Sequence, residues 1–504
     1  MRPPPARLAA ALAVAATLCP AIATAQPKKS EPPKPTVLTL RPAAAPAPAL
    51  SIQLLPDRHE LEPGNAAIFY HRAIEMLLQS REGRQIQLRQ PLAPGERPPQ
   101  SPEKLISDWG SGPLKDIPRD EASINLKVYE HALHEVELGA RQATCDWNLD
   151  RRTEGFTLQI PEIQEMRSLV RLVVLRARLA VLDGKPDEAI HWLQTGFAMG
   201  RHVGQGSMLI QALVGVAIST VSARATEDLI QAPGAPNLYW AFTILPRPFV
   251  DMSMAMDGER NCVDRYLPRL RDLEAAPWST AQAQQAINNM IRDLAPFVGS
   301  PVYQPGSRSK MSEMGPRLVL AAMVAKVYPE ARRALLAAGR PVAEVDAMPA
   351  SQVALIYTLR EYHAIRDDMY KWTLVPYWQA VPHLNPPESH QAPIEADNPM
   401  LAVIKMIDPT VNAARLAEVR IDRQLDALRT IEAIRLHAAA HGGKLPATLA
   451  EITEVPVPID PATGKPFEYK LEGTTATLSG PIPAKAPDHP AYALRYELRM
   501  ETPR

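Results

Sequence analysis

The sequence predicts a mainly α fold: a multi-helix bundle of helical hairpins, then a small C-terminal α+β module built from a long helix and an antiparallel hairpin. Three observations predict it. Apolar residues recur at helical spacing through most of the chain from about 61 to 380. Aromatic residues make up only 5% of the 504, while Ala and Leu abound, which favours helix over strand. Short β-like segments and tight-turn residues gather after Gly442-Gly443.

The N-terminus carries Arg2 and Arg7, an apolar run from Leu8 to Ala23, and Ala23-Thr24-Ala25 before Gln26. A basic start, a short apolar stretch and small residues at −3 and −1 have the form of a secretory signal. Residues 1–25 are therefore expected to be a cleaved leader, and the mature chain to lie in the periplasm or outside the cell. Proline is the compositional outlier, with 52 residues, many of them clustered at 27–48 and 376–399. Residues 26–50 read as a disordered Pro/Ala-rich tether and 381–399 as a Pro-rich linker. These divide the chain into a helical domain over 51–380 and an α+β module over 400–504.

Within the helical domain the periodicity predicts helices over 66–78, 121–141 and 162–181. Further helices are predicted near 207–231, 236–244, 248–274, 279–296, 315–337 and 350–373. Gly339 and Pro341 stop the penultimate one, and Pro376 ends the last. The segment from Val203 to Ala223 has no charge and approaches a membrane-spanning length. Gly204, Gln205, Gly206, Ser207, Gln211 and Ser219 dilute it, so it reads as a buried core helix. No spanning helix is expected once the leader is removed. In the module, a helix over Val411–His441 stops at Gly442-Gly443. Phe467–Leu471 and Thr475–Ser479 form a hairpin, and Tyr492–Met500 a last strand.

The chain has 55 basic and 55 acidic residues. That balance speaks against general attraction to nucleic acid or anionic lipid.

Two segments resemble known families. Ala177, Ala180, Gly184, Ala189, Leu193, Gly196 and Phe197 fall at the spacing of a tetratricopeptide-type helical hairpin, with Gly184-Lys185-Pro186-Asp187 as its turn. The resemblance implies close antiparallel helix packing over one hairpin. The C-terminal module resembles the globular part of the major pseudopilins of type II secretion systems. The matching positions are Gly443, Leu445, Pro446, Asp460, Pro461, Gly464, Pro466, Tyr469, Ser479 and Gly480. It implies a long helix running into a loop, an Asp-Pro turn and a small antiparallel sheet. The family's peptidase signature is not carried over, because Gly155-Phe156-Thr157-Leu158 is followed by Gln159-Ile160-Pro161. Its acidic calcium loop has no counterpart either, since Ser479-Gly480 leads to Pro481-Ile482-Pro483.

Candidate chemistry is sparse. The sequence has no phosphate-binding loop, nucleophile elbow, His-Glu-x-x-His or paired Cys-x-x-Cys motif, and no cofactor is expected. His363 and Asp367 stand four apart on one helix, where a carboxylate orients an imidazole as a general base; the same helix side also reads as a ladder of ion pairs. His437 and His441 stand four apart, a spacing for two metal ligands, and also a placement the helix dipole favours. His131 and His134 stand three apart beside Glu135. Cys145 and Cys262 form one disulfide in an oxidising compartment, or remain two buried thiols.

The function expected from these features is a non-enzymatic binding or scaffold component of a bacterial-type cell envelope, with a protein partner there and no nucleic acid. The alternatives are an exported hydrolase with an unrecognised active site, and a secretion-system or filament-associated subunit. A deep pocket holding histidines or carboxylates from several helices favours the hydrolase; a smooth surface with an exposed apolar patch favours binding.

Overall fold

The computed structural model describes residues 35–88, 101–149, 160–266, 272–286, 288–289, 310–384, 398–401, 411–489 and 492–501. The leader, residues 26–34, Gly155–Leu158 and residues 385–397 lie outside that set.

The expected tether is corrected at once. Thr36–Leu40 is strand β1, not disordered chain, and it pairs in parallel with a C-terminal strand. Its Thr-Val-Leu-Thr-Leu pattern alternates, so Leu38 and Leu40 point inward and are buried. Strand β2 (Glu62–Asn65) runs into helix α1 (Ala66–Leu88). Helices α2 (Pro102–Ser111), α3 (Arg119–Lys127) and α4 (Glu130–Ala140) follow. The helix expected over 121–141 thus breaks at Val128-Tyr129, where Tyr129 turns into the core. Strand β3 (Gln142–Thr144) pairs in parallel with β2.

Three long helices form the centre: α5 (Pro161–Leu182), α6 (Pro186–Gly204) and α7 (Leu209–Gln231). Gly184, at φ 68°, makes the turn between the first two. Helices α6 and α7 touch backbone to backbone. A Cβ on Gly200 would lie 2.2 Å from Ser219 Oγ, and one on Gly215 would lie 2.5 Å from the Gly200 carbonyl oxygen. Gly196, which the sequence offered for the α5–α6 hairpin, also packs on Ser222 of α7. Helix α7 meets the length and hydropathy of a membrane span, yet 67% of its apolar window is buried inside the fold.

Next comes α8 (Tyr239–Thr243), within the helix expected near 236–244, and then α9 (Ser253–Arg260) and α10 (Cys262–Tyr266), in place of one helix over 248–274. A second helical unit holds α11 (Lys310–Ala337), α12 (Val342–Ala347) and α13 (Ala350–Tyr370), followed by α14 (Tyr377–Ala380). Helices α11 and α13 pack together over a separate core that includes Val327, Leu335, Val353 and Tyr362.

Helix α15 (Val411–Ala440) ends at Gly442 and Gly443, both at positive φ. Strands β4 (Ile459–Asp460) and β5 (Lys465–Pro466) make a small hairpin. Strands β6 (Glu468–Glu472), β7 (Thr475–Gly480) and β8 (Leu494–Met500) complete a four-stranded sheet in the order β1-β8-β7-β6. All its pairings are antiparallel except β1 with β8.

The main core runs from Leu38 to Leu498, so the C-terminal sheet and α15 share one interior with α1 and α4–α8. Packing therefore does not divide the chain at 381–399. Even at the ends of that stretch Leu384 is buried, and Asn398 is buried and donates to Glu361 Oε2 at 2.7 Å.

Candidate functional site

Helix α15 is unusual for a core helix because it carries charge inward. Glu432 and Arg435 are fully buried partners, with Nη1 2.8 Å from Oε1. Arg435 also donates to the carbonyls of Arg41 and Ala235, so it joins the N-terminal segment to the centre of the molecule. One turn after another toward the N-terminus, Asp426, Asp422 and Glu418 stand four apart and therefore share a side.

That side floors a cleft of about 770 Å³. Its walls come from α9, the end of α13 with the turn through Pro376, α14, and the segment from Ile459 to Pro461. Glu418 is paired with Arg415 and accepts from the Met252 N–H at 3.4 Å. Asp426 is paired with Arg247 at 2.7 Å. Asp422 accepts the Phe249 N–H at 2.8 Å and has no cation at ion-pair distance among the described residues.

Burial acts on all three carboxyls. It pushes Asp422 up to about 7, with Glu418 and Asp426 adding to the effect and the Phe249 N–H and Arg247 opposing it. It pushes Asp426 up to about 6 against Arg247 and Arg429. It raises Glu418 against Arg415. Asp422 still opens partly to the cleft. The cleft mouth is apolar: Leu374 is 85% exposed, Ile459 50% and Trp378 40%. Trp378 lies over the Asp460–Gly464 turn, where a Cβ on Gly464 would stand 2.6 Å from the indole.

A second cleft of about 600 Å³ lies on another side of α15. Arg224, Arg420 and Arg495 line it with Glu227, which burial pushes up to about 7 although Tyr496 Oη donates to it at 2.8 Å.

The residues expected from sequence fall in several places. Asp367 lines the carboxylate cleft, but it does not orient His363. It binds Arg260 at 3.0 Å and Arg366 at 2.9 Å, which hold its pKa at about 2 against burial. The partner of His363 is Asp264 of α10, with Nε2 to Oδ1 3.0 Å. The expected pair is therefore corrected: two arginines outcompete an imidazole for Asp367. His131 and His134 are exposed on α4. Cys145 and Cys262 are not joined by a disulfide, which leaves the second of the two expected outcomes, separate thiols. Cys145 packs against the main core and Cys262 sits inside the second one. His437 and His441 do come together, with ring centroids 4.0 Å apart, and Glu454 joins them.

Sequence reasoning missed Asp422, Glu454 and Asp264. The first had a signal: carboxylates at 418, 422 and 426 on the same helix as a continuous apolar face. Glu454 and Asp264 reach their partners from loops and short helices distant in sequence, and local spacing carries no trace of them.

No family model, curated protein or solved structure matches the chain.

Proposed function

We propose that this chain is an exported binding component of the cell envelope, and that the carboxylate cleft receives a basic side chain of a protein partner. The observation that supports this reading is the cleft's division of labour. Glu418 and Asp426 are neutralised from within by Arg415 and Arg247, while among the described residues Asp422 has no cation at ion-pair distance. A buried carboxylate either acquires a cation or takes up a proton. An ammonium or guanidinium group entering the cleft supplies that charge, and Tyr370, Tyr377 and Trp378 offer faces to its aliphatic stem. The exposed Leu374, Trp378 and Ile459 at the mouth make an apolar ring around a charged centre, a composition suited to protein contact. The signal-like leader supports export. The order of long helix, loop, Asp460 turn and antiparallel strands supports the pseudopilin-like likeness of the module as a matter of fold.

The test is calorimetric titration with the tripeptide Lys-Lys-Lys near pH 7. Binding should weaken with salt and release protons, and Asp422→Asn should lose it. No binding by the wild type, or equal binding by the variant, overturns the reading.

One observation favours a hydrolase as the second reading: Asp422 near 7 is poised to give or take a proton at neutral pH. Turnover of chromogenic esters or glycosides, abolished by Asp422→Asn, would replace the binding proposal with this one.

A further inference from the structure

We propose that His437, His441 and Glu454 form a binding site for one divalent transition-metal ion, zinc fitting the ligand set best. The site is independent of the carboxylate cleft. His437 stands eleven residues beyond Asp426, about 16 Å further along α15 at the helical rise.

Three observations converge. First, one nitrogen of each imidazole and one carboxylate oxygen lie within 4.8 Å of one another. Bonds of about 2.0–2.2 Å at tetrahedral angles separate zinc ligands by about 3.3–3.5 Å. His437 Nδ1 and Glu454 Oε1 are already 3.4 Å apart. Second, His437 is only 6% exposed, yet its Nδ1 makes no hydrogen bond. Its contact with Glu454 Oε1 is only an ion-pair approach at 3.4 Å, and buried polar atoms are nearly always better satisfied than that, so the pair leaves room for an ion between them. Third, His441 Nδ1 donates to the His437 carbonyl at 2.9 Å. A carbonyl only accepts, so Nδ1, which also stands 3.3 Å from Glu454 Oε1, carries a proton, and in the neutral ring Nε2 is the nitrogen that a turn of the ring presents to an ion. A backbone carbonyl in that role is the usual outer support of a metal-bound histidine.

The surroundings suit a cation. The cluster sits where the carbonyls of α15 end, at the negative pole of the helix. The His441 side chain is 50% exposed, which leaves room for its ring to close on the ion and for water to complete four-coordination. Two imidazoles with one carboxylate select zinc, copper or nickel over magnesium and calcium, which take oxygen ligands.

The test uses the full chain without an affinity tag, dialysed to equilibrium against Zn²⁺ alone and assayed for metal. One ion per chain should be retained, and the thermal midpoint should rise with zinc but not with Mg²⁺. His441→Ala and Glu454→Gln change solvent-facing groups, so both variants keep the fold. Each should lose about tenfold or more in zinc affinity. Retention of zinc by the double variant at the wild-type level, or no retention by the wild type, overturns the assignment.

Discussion

Arg423 and Asp460 form an ion pair that is buried on both sides. Nη2 stands 2.8 Å from Oδ2, with side-chain exposures of 3% and 1%. Arg423 also donates to the carbonyls of Tyr492 and Pro481, and Asp460 Oδ1 accepts the Ala462 N–H. One contact thus fixes α15 to the β4–β5 turn and to the start of β8. It also explains Gly480, whose Cβ would lie 2.1 Å from the guanidinium. Removing one partner strands a buried charge. Asp460→Asn should cost about 3–5 kcal/mol in urea unfolding. The double change Arg423→Met with Asp460→Leu should cost less than Asp460→Asn alone. Equal losses in the two would show that the turn, not the charge, sets the energy.

Strand β1 makes a second prediction. Leu40 is fully buried beneath the edge of the sheet, and the Glu501 N–H donates to its carbonyl at 2.9 Å. Leu40→Ala should cost about 2–5 kcal/mol, as for other buried large-to-small changes. Truncation through residue 50 should cost more, because it also bares the edge of β8 to intermolecular pairing. A truncated chain with an unchanged urea midpoint and no aggregation would restore the picture of a tether.

The contrast between β1 and α5 shows what was legible. The apolar positions of α5, from Met166 to Val181, recur at helical period over about four turns, so local pattern alone places it. Strand β1 has five residues flanked by Pro35 and Pro42 in a Pro/Ala-rich stretch, and composition hid an alternation too short to stand out. Its partner lies some 460 residues away, so no local feature announces the pairing. The same holds at the sites. His437 and His441 share one helix, and their proximity follows from spacing. Asp264 displaces Asp367 as the partner of His363 because tertiary packing brings Arg260 to Asp367.

The α6–α7 contact tests the reading of its glycines. A Cβ on Gly215 would lie 2.5 Å from both the Gly200 carbonyl oxygen and Gly204 Cα. Both are backbone atoms, so no side chain can rotate away. Gly215→Ala should gain in helix propensity by about 1 kcal/mol and still lose on balance, because overpacking costs about 1–3 kcal/mol or more. Thermal unfolding measures the balance; a variant more stable than the wild type would mean that the helices separate freely.

The pH dependence of stability isolates Asp422. Its carboxyl titrates near 7 in the fold, because of burial, and near 3.9 when unfolded. Between those values the folded state keeps a proton that the unfolded state has released. Stability therefore falls as pH rises through this window, and stays at the lower level above it. His202 works in the opposite sense. Burial against Tyr70 lowers it to about 4, so its contribution is lost as pH falls from about 6.5 towards 4. Between about pH 4 and 6.5 the two slopes oppose each other, so in the wild type this pair gives a net loss of stability only above about 6.5. Asn at position 422 cannot ionise, so Asp422→Asn should flatten the alkaline decline while leaving the acid limb set by His202. At pH 8 the variant should exceed the wild type by about 1–3 kcal/mol, the full shift being discounted for the partial opening of Asp422 to water. Near pH 5 the gap should be about a third of that, and it should close near pH 4, where the unfolded carboxyl also keeps its proton and the folded one is nearly isosteric with the amide. Urea midpoints at pH 5, 6, 7 and 8 give both limbs. A variant that keeps the wild-type slope from 5 to 8 would place the Asp422 titration in the ordinary carboxylate range, and with it would go the cation-seeking floor of the cleft.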